Sequence, residues 1–325
     1  MYLSLMKRRQ FLHQSAILGF SLTAGGLLVA RSGMYHQDSE RKIFRILKAD
    51  GVDVGTLPVM RAFAGNHLDH VSPFVLLDEF GPVDVTPGSD PLRVDAHPHA
   101  GVTPTTYFLE GSGHHKDSLD YDFQIAKGDF MLFNSGRGAI HMEESGQQLA
   151  ENGGLYHGFQ IWLNTPSAHK FMAPTTLVHR TTDMAILDKK EYWIQVILGE
   201  LEGAKSAIET LSPAFYYHVK TETDARLDIP TEPSNNVFIY LIKGSLELEG
   251  GRALKANELA LYQRGDSKLN IYSTEASEFL VLGGEPLDEE VYSYGPFVMN
   301  NRAQIDQCMR NYQSGKMGDP DVVNR

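Results

Sequence analysis

Asp95-Ala96-His97-Pro98-His99-Ala100-Gly101 is one of two short stretches that decide how this chain folds. The other is Ser135-Gly136-Arg137-Gly138-Ala139-Ile140-His141-Met142-Glu143. Each holds two metal-type side chains one residue apart, His97 with His99 and His141 with Glu143. Along a strand, residues i and i+2 point to the same face. Two such pairs on neighbouring strands of a barrel aim three imidazoles and one carboxylate at one interior point. A nitrogen- and oxygen-rich set of that kind suits a divalent transition metal with open positions.

The flanking sequence reads as strands. Segments 42–47, 59–63 and 73–82 precede the histidines, and Gly81-Pro82 reads as the turn that closes the last of them. Segment 105–109 is rich in β-branched and aromatic residues, and 110–113 is a hairpin turn into 114–118. Strands at 130–133 and 155–163 follow. Short strands, frequent turns and little helical periodicity mean a β-sandwich or barrel.

A second set of strands follows at 213–219, 237–241, 244–248, 258–263, 268–271 and 279–282. Tyr240-Leu241-Ile242-Lys243-Gly244 echoes Tyr107-Phe108-Leu109-Glu110-Gly111. Aligned on those glycines, His97 and His99 fall opposite Pro230 and Glu232. Aligned on Gly136 and Gly265, His141 falls opposite Asn270. The second copy keeps the turns and lacks the metal set, and His218 alone cannot rebuild it. Segment 301–312 has helical spacing, with Ile305, Met309 and Tyr312 on one face.

Other histidines are weaker candidates. His67 and His70 read as loop residues, one of His114 and His115 faces the interior behind the ligands, and His157 is placed near the pocket. The 325 residues are 42% hydrophobic and carry a net charge of −12, which argues against nucleic acid as a partner because phosphate contacts need a basic face. The single cysteine, Cys308, excludes an intramolecular disulfide and reads as a structural thiol. Met6-Lys7-Arg8-Arg9-Gln10-Phe11-Leu12 and the apolar run at 15–30 resemble a twin-arginine export signal, so a periplasmic location is expected. The run is too short and weak for a membrane span, which leaves an uncleaved signal as the one expected anchor. The twin-arginine route carries folded proteins, so a metal loaded before export is compatible with it.

His97-Pro98-His99-Ala100-Gly101, Tyr107 to Gly111, Gly128-Asp129, Ser135 to Glu143, Pro73 to Pro82 and Gly283-Gly284-Glu285-Pro286-Leu287 together resemble the pirin branch of the cupins. So does Tyr294-Gly295-Pro296-Phe297-Val298-Met299-Asn300, and the resemblance runs from about residue 41 to 312. It implies an all-β protein: two tandem cupin (jelly-roll) β-barrels with a short C-terminal helix. After a signal and linker at 1–40, a metal-binding barrel is expected at 41–180. A barrel without ligands, plus the helical tail, is expected at 181–325. The family's ligands carry over onto His97, His99, His141 and Glu143, with Fe(II) the expected ion and Mn, Ni, Cu or Zn also accepted by such donors. The general cupin motif has a glutamate four residues after the second histidine; Thr103 stands there, which would remove a pocket carboxylate. The resemblance implies quercetin 2,3-dioxygenase chemistry on a small aromatic flavonol with O2, Glu143 serving as general base, in a monomer. The competing reading is a non-catalytic metal-binding module whose redox state governs a protein partner. A sugar-binding barrel that needs no metal is a third.

Overall fold

Strands rich in β-branched and aromatic residues, cut by glycine turns, build two barrels of one plan. The computed structural model describes residues 39–64 and 68–324. The expected export signal and His67 lie outside the described residues, and His70 is exposed in a loop. Among the described residues no helix is long and apolar enough to cross a membrane.

The chain opens with β1 (Ile43–Lys48), β2 (Asp50–Val54), β3 (Leu57–Phe63), β4 (Phe74–Val85), β5 (Arg93–His99) and β6 (Val102–Glu110). It continues with β7 (Ser112–Asp117), β8 (Asp122–Ala126), β9 (Phe130–Asn134), β10 (Ala139–Ser145), β11 (Gly154–Asn164) and β12 (Thr175–His179). A seven-stranded sheet, β12-β9-β6-β11-β4-β3-β2, faces a four-stranded sheet, β5-β10-β7-β8. The second barrel repeats both sheets, its larger one taking β1 at the edge where the first has β12. Gly81-Pro82 does not end its strand, contrary to the expectation of a turn. β4 runs on to Val85, and its register with β11 shifts between Tyr156 and Gly158, a bulge that accommodates proline.

The two large sheets pack against each other, so each is buried on both faces and its strands read as continuous apolar runs. The second faces of β6 and Asn236–Lys243 carry Tyr107 and Tyr240 into that junction. The Tyr240 hydroxyl donates to Glu79 Oε2 (2.6 Å), and Glu79 Oε1 meets His157 Nε2 (2.7 Å). Symmetrically, the Tyr107 hydroxyl lies 2.8 Å from His218 Nδ1, and His218 Nε2 meets Glu278 Oε1 at 2.8 Å. Strand registers place Glu79 and His218 in equivalent positions, and likewise His157 and Glu278. The same carboxylate–imidazole pair thus occurs twice with its members exchanged. His157 is therefore a junction residue, not a pocket residue as expected.

The repeat alignment also needs correcting by one residue. In the second barrel Leu227, Ile229, Leu269 and Ile271 are buried in the core, whereas Asn270 and Pro230 lie on the outward alternation. A one-residue slip turns every side chain to the opposite face. The interior positions that carry donors in the first barrel carry aliphatic side chains in the second.

The C-terminal end returns to the first barrel. Phe297 bridges Ala100, and the helix Arg302–Gln313, capped by the Asn301 side chain, packs on the outer face of the small sheet. Ile305 and Cys308 are its buried residues, and burial pushes the Cys308 thiol up to about 11. Tyr312, expected on the same face, is exposed. Gly101 allows this docking. It has φ +71°, and a Cβ there would stand 2.2 Å from the Val298 carbonyl oxygen.

Lys170 fastens the joint. Its buried ammonium donates to Gly101 O (2.8 Å), Val298 O (2.8 Å) and Asn164 Oδ1 (2.6 Å). Burial nonetheless pushes its pKa down to about 7. The unfolded chain then holds a proton that the folded chain lacks between about pH 7 and about 10.4, so this group makes stability rise with pH across that window. Urea unfolding from pH 7 to 9.5 is expected to show a slope of about 1 kcal/mol per pH unit that Lys170→Met abolishes.

Candidate metal centre

β5 is an edge strand of the small sheet and β10 is its neighbour, with His97 directly opposite His141 and His99 opposite Ala139. The expected convergence follows. His97 Nε2 and His141 Nε2 are 3.1 Å apart, and the His99 ring centroid lies 4.8 Å from that of His97 and 4.9 Å from that of His141. Two nitrogens about 2.1 Å from one ion and at a right angle to each other stand about 3.0 Å apart. Phe133 stacks on His141 (4.5 Å), and Trp162 meets His99 edge-on (4.7 Å).

Backbone oxygens orient two of the rings. His97 Nδ1 donates to Asp95 O (2.8 Å), and His99 Nδ1 donates to Pro296 O (3.2 Å). A carbonyl only accepts, so each ring keeps its proton on Nδ1 and turns the Nε2 lone pair inward. Burial holds His97, His99 and His141 below the ordinary imidazole range, and positive charge on any one of them is opposed by its neighbours. Neutral, buried nitrogens facing one another at 3.1 Å suit a shared cation, so the residues fit a metal.

Glu143 is set apart. The β5–β10 register shifts between His141 and Glu143, and Glu143 lies opposite His115 on β7. The donor atoms form two overlapping groups within 4.8 Å, His97–His99–His141 and His115–His141–Glu143. Thr106 Oγ1 donates to Glu143 Oε1 (2.8 Å), and Gln160 Nε2 donates to Oε2 (2.8 Å), both from the opposing sheet. Strand alternation settles the His114/His115 choice. His115 is fully buried beside His141, while His114 sits between Glu144 and Asp122 near the rim.

A cavity of about 390 Å³ opens on this centre, lined by His97, His99, Glu143 and Gln160 and walled by Phe80, Phe108, Tyr156 and Trp162. That size is in the range of small-molecule sites. Thr103 takes no part in it: its hydroxyl donates to Asn134 Oδ1 (2.6 Å), on the face of β6 opposite Thr106. The pocket carboxylate expected to be missing at Thr103 is therefore not a cavity position in this fold. Thr106, Gln160 and Pro296 were not singled out from sequence. Thr106 and Gln160 were accessible in principle through alternation with Phe108 and Trp162, but a carbonyl 197 residues from its histidine was not.

Comparison with known proteins agrees with this fold. The pirin family profile matches residues 56–163, and that of the pirin C-terminal cupin domain matches residues 216–318. Human pirin is 30% identical over 265 residues, covering 80% of this chain and 88% of its own. A Pseudomonas aeruginosa protein, provisionally named quercetin 2,3-dioxygenase, is 30% identical over 262 residues, covering 80% of this chain and 91% of its own. The crystal structure of a quercetin 2,3-dioxygenase from Acinetobacter baumannii superposes with a TM-score of 0.83 at 28% identity, over 87% of this chain and 100% of that one. Two cupin barrels of one plan, a donor set that among the described residues lies in the first, and relatives matched over most of their length make this chain a member of the pirin family.

Proposed function

We propose that this protein is a metal-dependent dioxygenase that opens the ring of a flavonol-type substrate with O2 and releases carbon monoxide. The observation that carries the reading is three inward imidazoles and an oriented carboxylate at the end of an aromatic-walled cavity. The names of the Acinetobacter and Pseudomonas relatives support it. Held by His97, His99, His141 and Glu143, a divalent metal, with Fe(II) the expected ion, supplies Lewis acidity to a substrate hydroxyl and the redox chemistry O2 requires. Glu143, fixed by Thr106 and Gln160, accepts the hydroxyl proton. Phe108, Tyr156 and Trp162 hold a flat ring and keep water away. The Arg8-Arg9 segment resembles an export signal and supports a periplasmic location for this activity, which cell fractionation checks.

The test is anaerobic loading with Fe(II), followed by oxygen uptake and carbon monoxide release on a flavonol panel. Fully metallated protein with no turnover overturns the reading. Glu143→Gln is expected to keep most of its metal through the three imidazoles and to lose at least about 100-fold in kcat, the usual worth of a general base. Turnover within a few-fold of wild type in that variant removes Glu143 from proton transfer.

A further inference from the structure

We infer that Asp117 and His115 form a hydrogen-bond relay that fixes which nitrogen of His141 is free to bind the metal. This rests on the metal reading above and assigns positioning residues to the same site.

His141 is the donor shared by both groups and lies between β5 and β7, opposite His97 on one side and Asp117 on the other. Its orientation problem differs from that of the other two histidines. A neutral imidazole has one N–H and one lone pair, and a carbonyl oxygen decides the matter for His97 and His99. For His141 both nitrogens face other imidazoles: Nε2 is 3.1 Å from His97 Nε2, and Nδ1 is 3.4 Å from His115 Nδ1. His97 Nε2 is a lone pair fixed by Asp95 O and competes for the one His141 N–H, so a metal held between the two Nε2 atoms leaves that N–H only the His115 side.

The decision is made one step further back. Asp117 Oδ1 accepts from the Leu119 N–H (2.8 Å) and the Tyr121 N–H (3.2 Å). Its Oδ2 accepts from Thr176 Oγ1 (2.5 Å) and faces His115 Nε2 at 3.1 Å. With both oxygens occupied by donors, the carboxylate has no place for a proton of its own and is an acceptor only. His115 therefore carries its proton on Nε2 and offers the Nδ1 lone pair to His141. His141 then has an acceptor for an Nδ1 proton, which frees its Nε2 lone pair for a metal at the centre. All three ligand rings thus present Nε2, two set by backbone oxygens and the third by a carboxylate acting through an intervening imidazole. Fixing a ligand's tautomer from behind is how outer residues tune metal affinity.

Asp117→Asn tests the relay without a change of shape. The amide oxygen keeps the Leu119 and Tyr121 bonds, and the amide NH2 replaces Oδ2. It donates to His115 Nε2, His115 donates through Nδ1, and His141 is forced to hold its proton on Nε2, where it blocks the metal. In the purified full chain, Ni(II) affinity by chelator competition is expected to fall about 10- to 100-fold. Nitrogen NMR of the metal-free, 15N-histidine protein is expected to show His115 protonated on Nε2 in wild type and on Nδ1 in the variant. His115→Asn places an amide oxygen near the Nδ1 position and is expected to bind Ni(II) within a few-fold of wild type. His115→Leu, which offers no acceptor, is expected to match Asp117→Asn. That pair decides the matter if Asp117→Asn does not fold. Wild-type His115 protonated on Nδ1, equal Ni(II) affinity in wild type and Asp117→Asn, or equal affinity in His115→Asn and His115→Leu overturns the relay alone. Two Ni(II) per chain, with His115 a ligand, also overturns it. Wild-type protein that binds no Ni(II) overturns the metal assignment itself.

Discussion

His141→Ala is expected to abolish stable metal binding and to reduce flavonol-dependent oxygen uptake by at least about 1000-fold, the loss of several kcal/mol of metal-supplied transition-state stabilisation. The reason is geometric. His141 Nε2 lies 3.1 Å from His97 Nε2, and His141 is the one residue common to both donor groups, so its removal breaks both. What remains, His97 with His99 on one side and His115 with Glu143 on the other, is two pairs without the link. His141 is fully buried under Phe133, so the truncation also leaves a hole in the small sheet. Circular dichroism is expected to be unchanged, which separates loss of the centre from loss of the fold. Metal content by elemental analysis and oxygen uptake are the readouts. A variant that keeps one metal per chain and wild-type uptake removes His141 from the ligand set.

The second large effect is on stability. Gly158→Ala is expected to destabilise the protein by about 3 kcal/mol or more, seen as a lower urea midpoint and a poorer soluble yield. Gly158 lies in β11, the strand between β4 and β6, where the register shifts. A Cβ there would stand 2.4 Å from the Tyr107 carbonyl oxygen and 2.5 Å from Phe80 Cζ. The carbonyl belongs to the strand pairing and cannot withdraw. The ring of Phe80 is held against Phe108 and Tyr156 in the cavity wall, so any relief also distorts the pocket. Gly51→Ala is the control, since its added methyl would meet only Met60 Sδ at 3.9 Å. It is expected to change stability by less than about 0.5 kcal/mol. Equal urea midpoints for the two variants would remove the steric account.

Much of the fold was legible because alternation and glycine turns are local signals. The two i, i+2 pairs could be read as facing one way, and the Tyr107 and Tyr240 segments could be read as one motif used twice. What failed did so for identifiable causes. The repeat was aligned through turns of unequal length, and one residue of error exchanged Asn270 for the aliphatic interior positions Leu269 and Ile271. His157 resembled a pocket residue because a buried imidazole beside a carboxylate has the same composition in a junction as in a metal site. Gly81-Pro82 resembled a turn because a bulge inside a strand uses the same residues.

The sequence by itself determined which metal-type side chains lie near one another, His97 with His99 and His141 with Glu143, and that among the described residues the first barrel carries them. Those properties follow from side-chain identity and from the two-residue period of a strand, both of which are local. Tertiary structure alone decided which proton sits on which ring. The carbonyl that orients His99 comes from Pro296 at the returning C-terminal end, and Asp117, behind His115, takes one of its four donors from Thr176 in β12. It also decided that Glu143 is aimed from the opposite sheet by Thr106 and Gln160. Hydrogen-bond partners across a barrel are brought together by sheet closure, and no spacing along the chain records them.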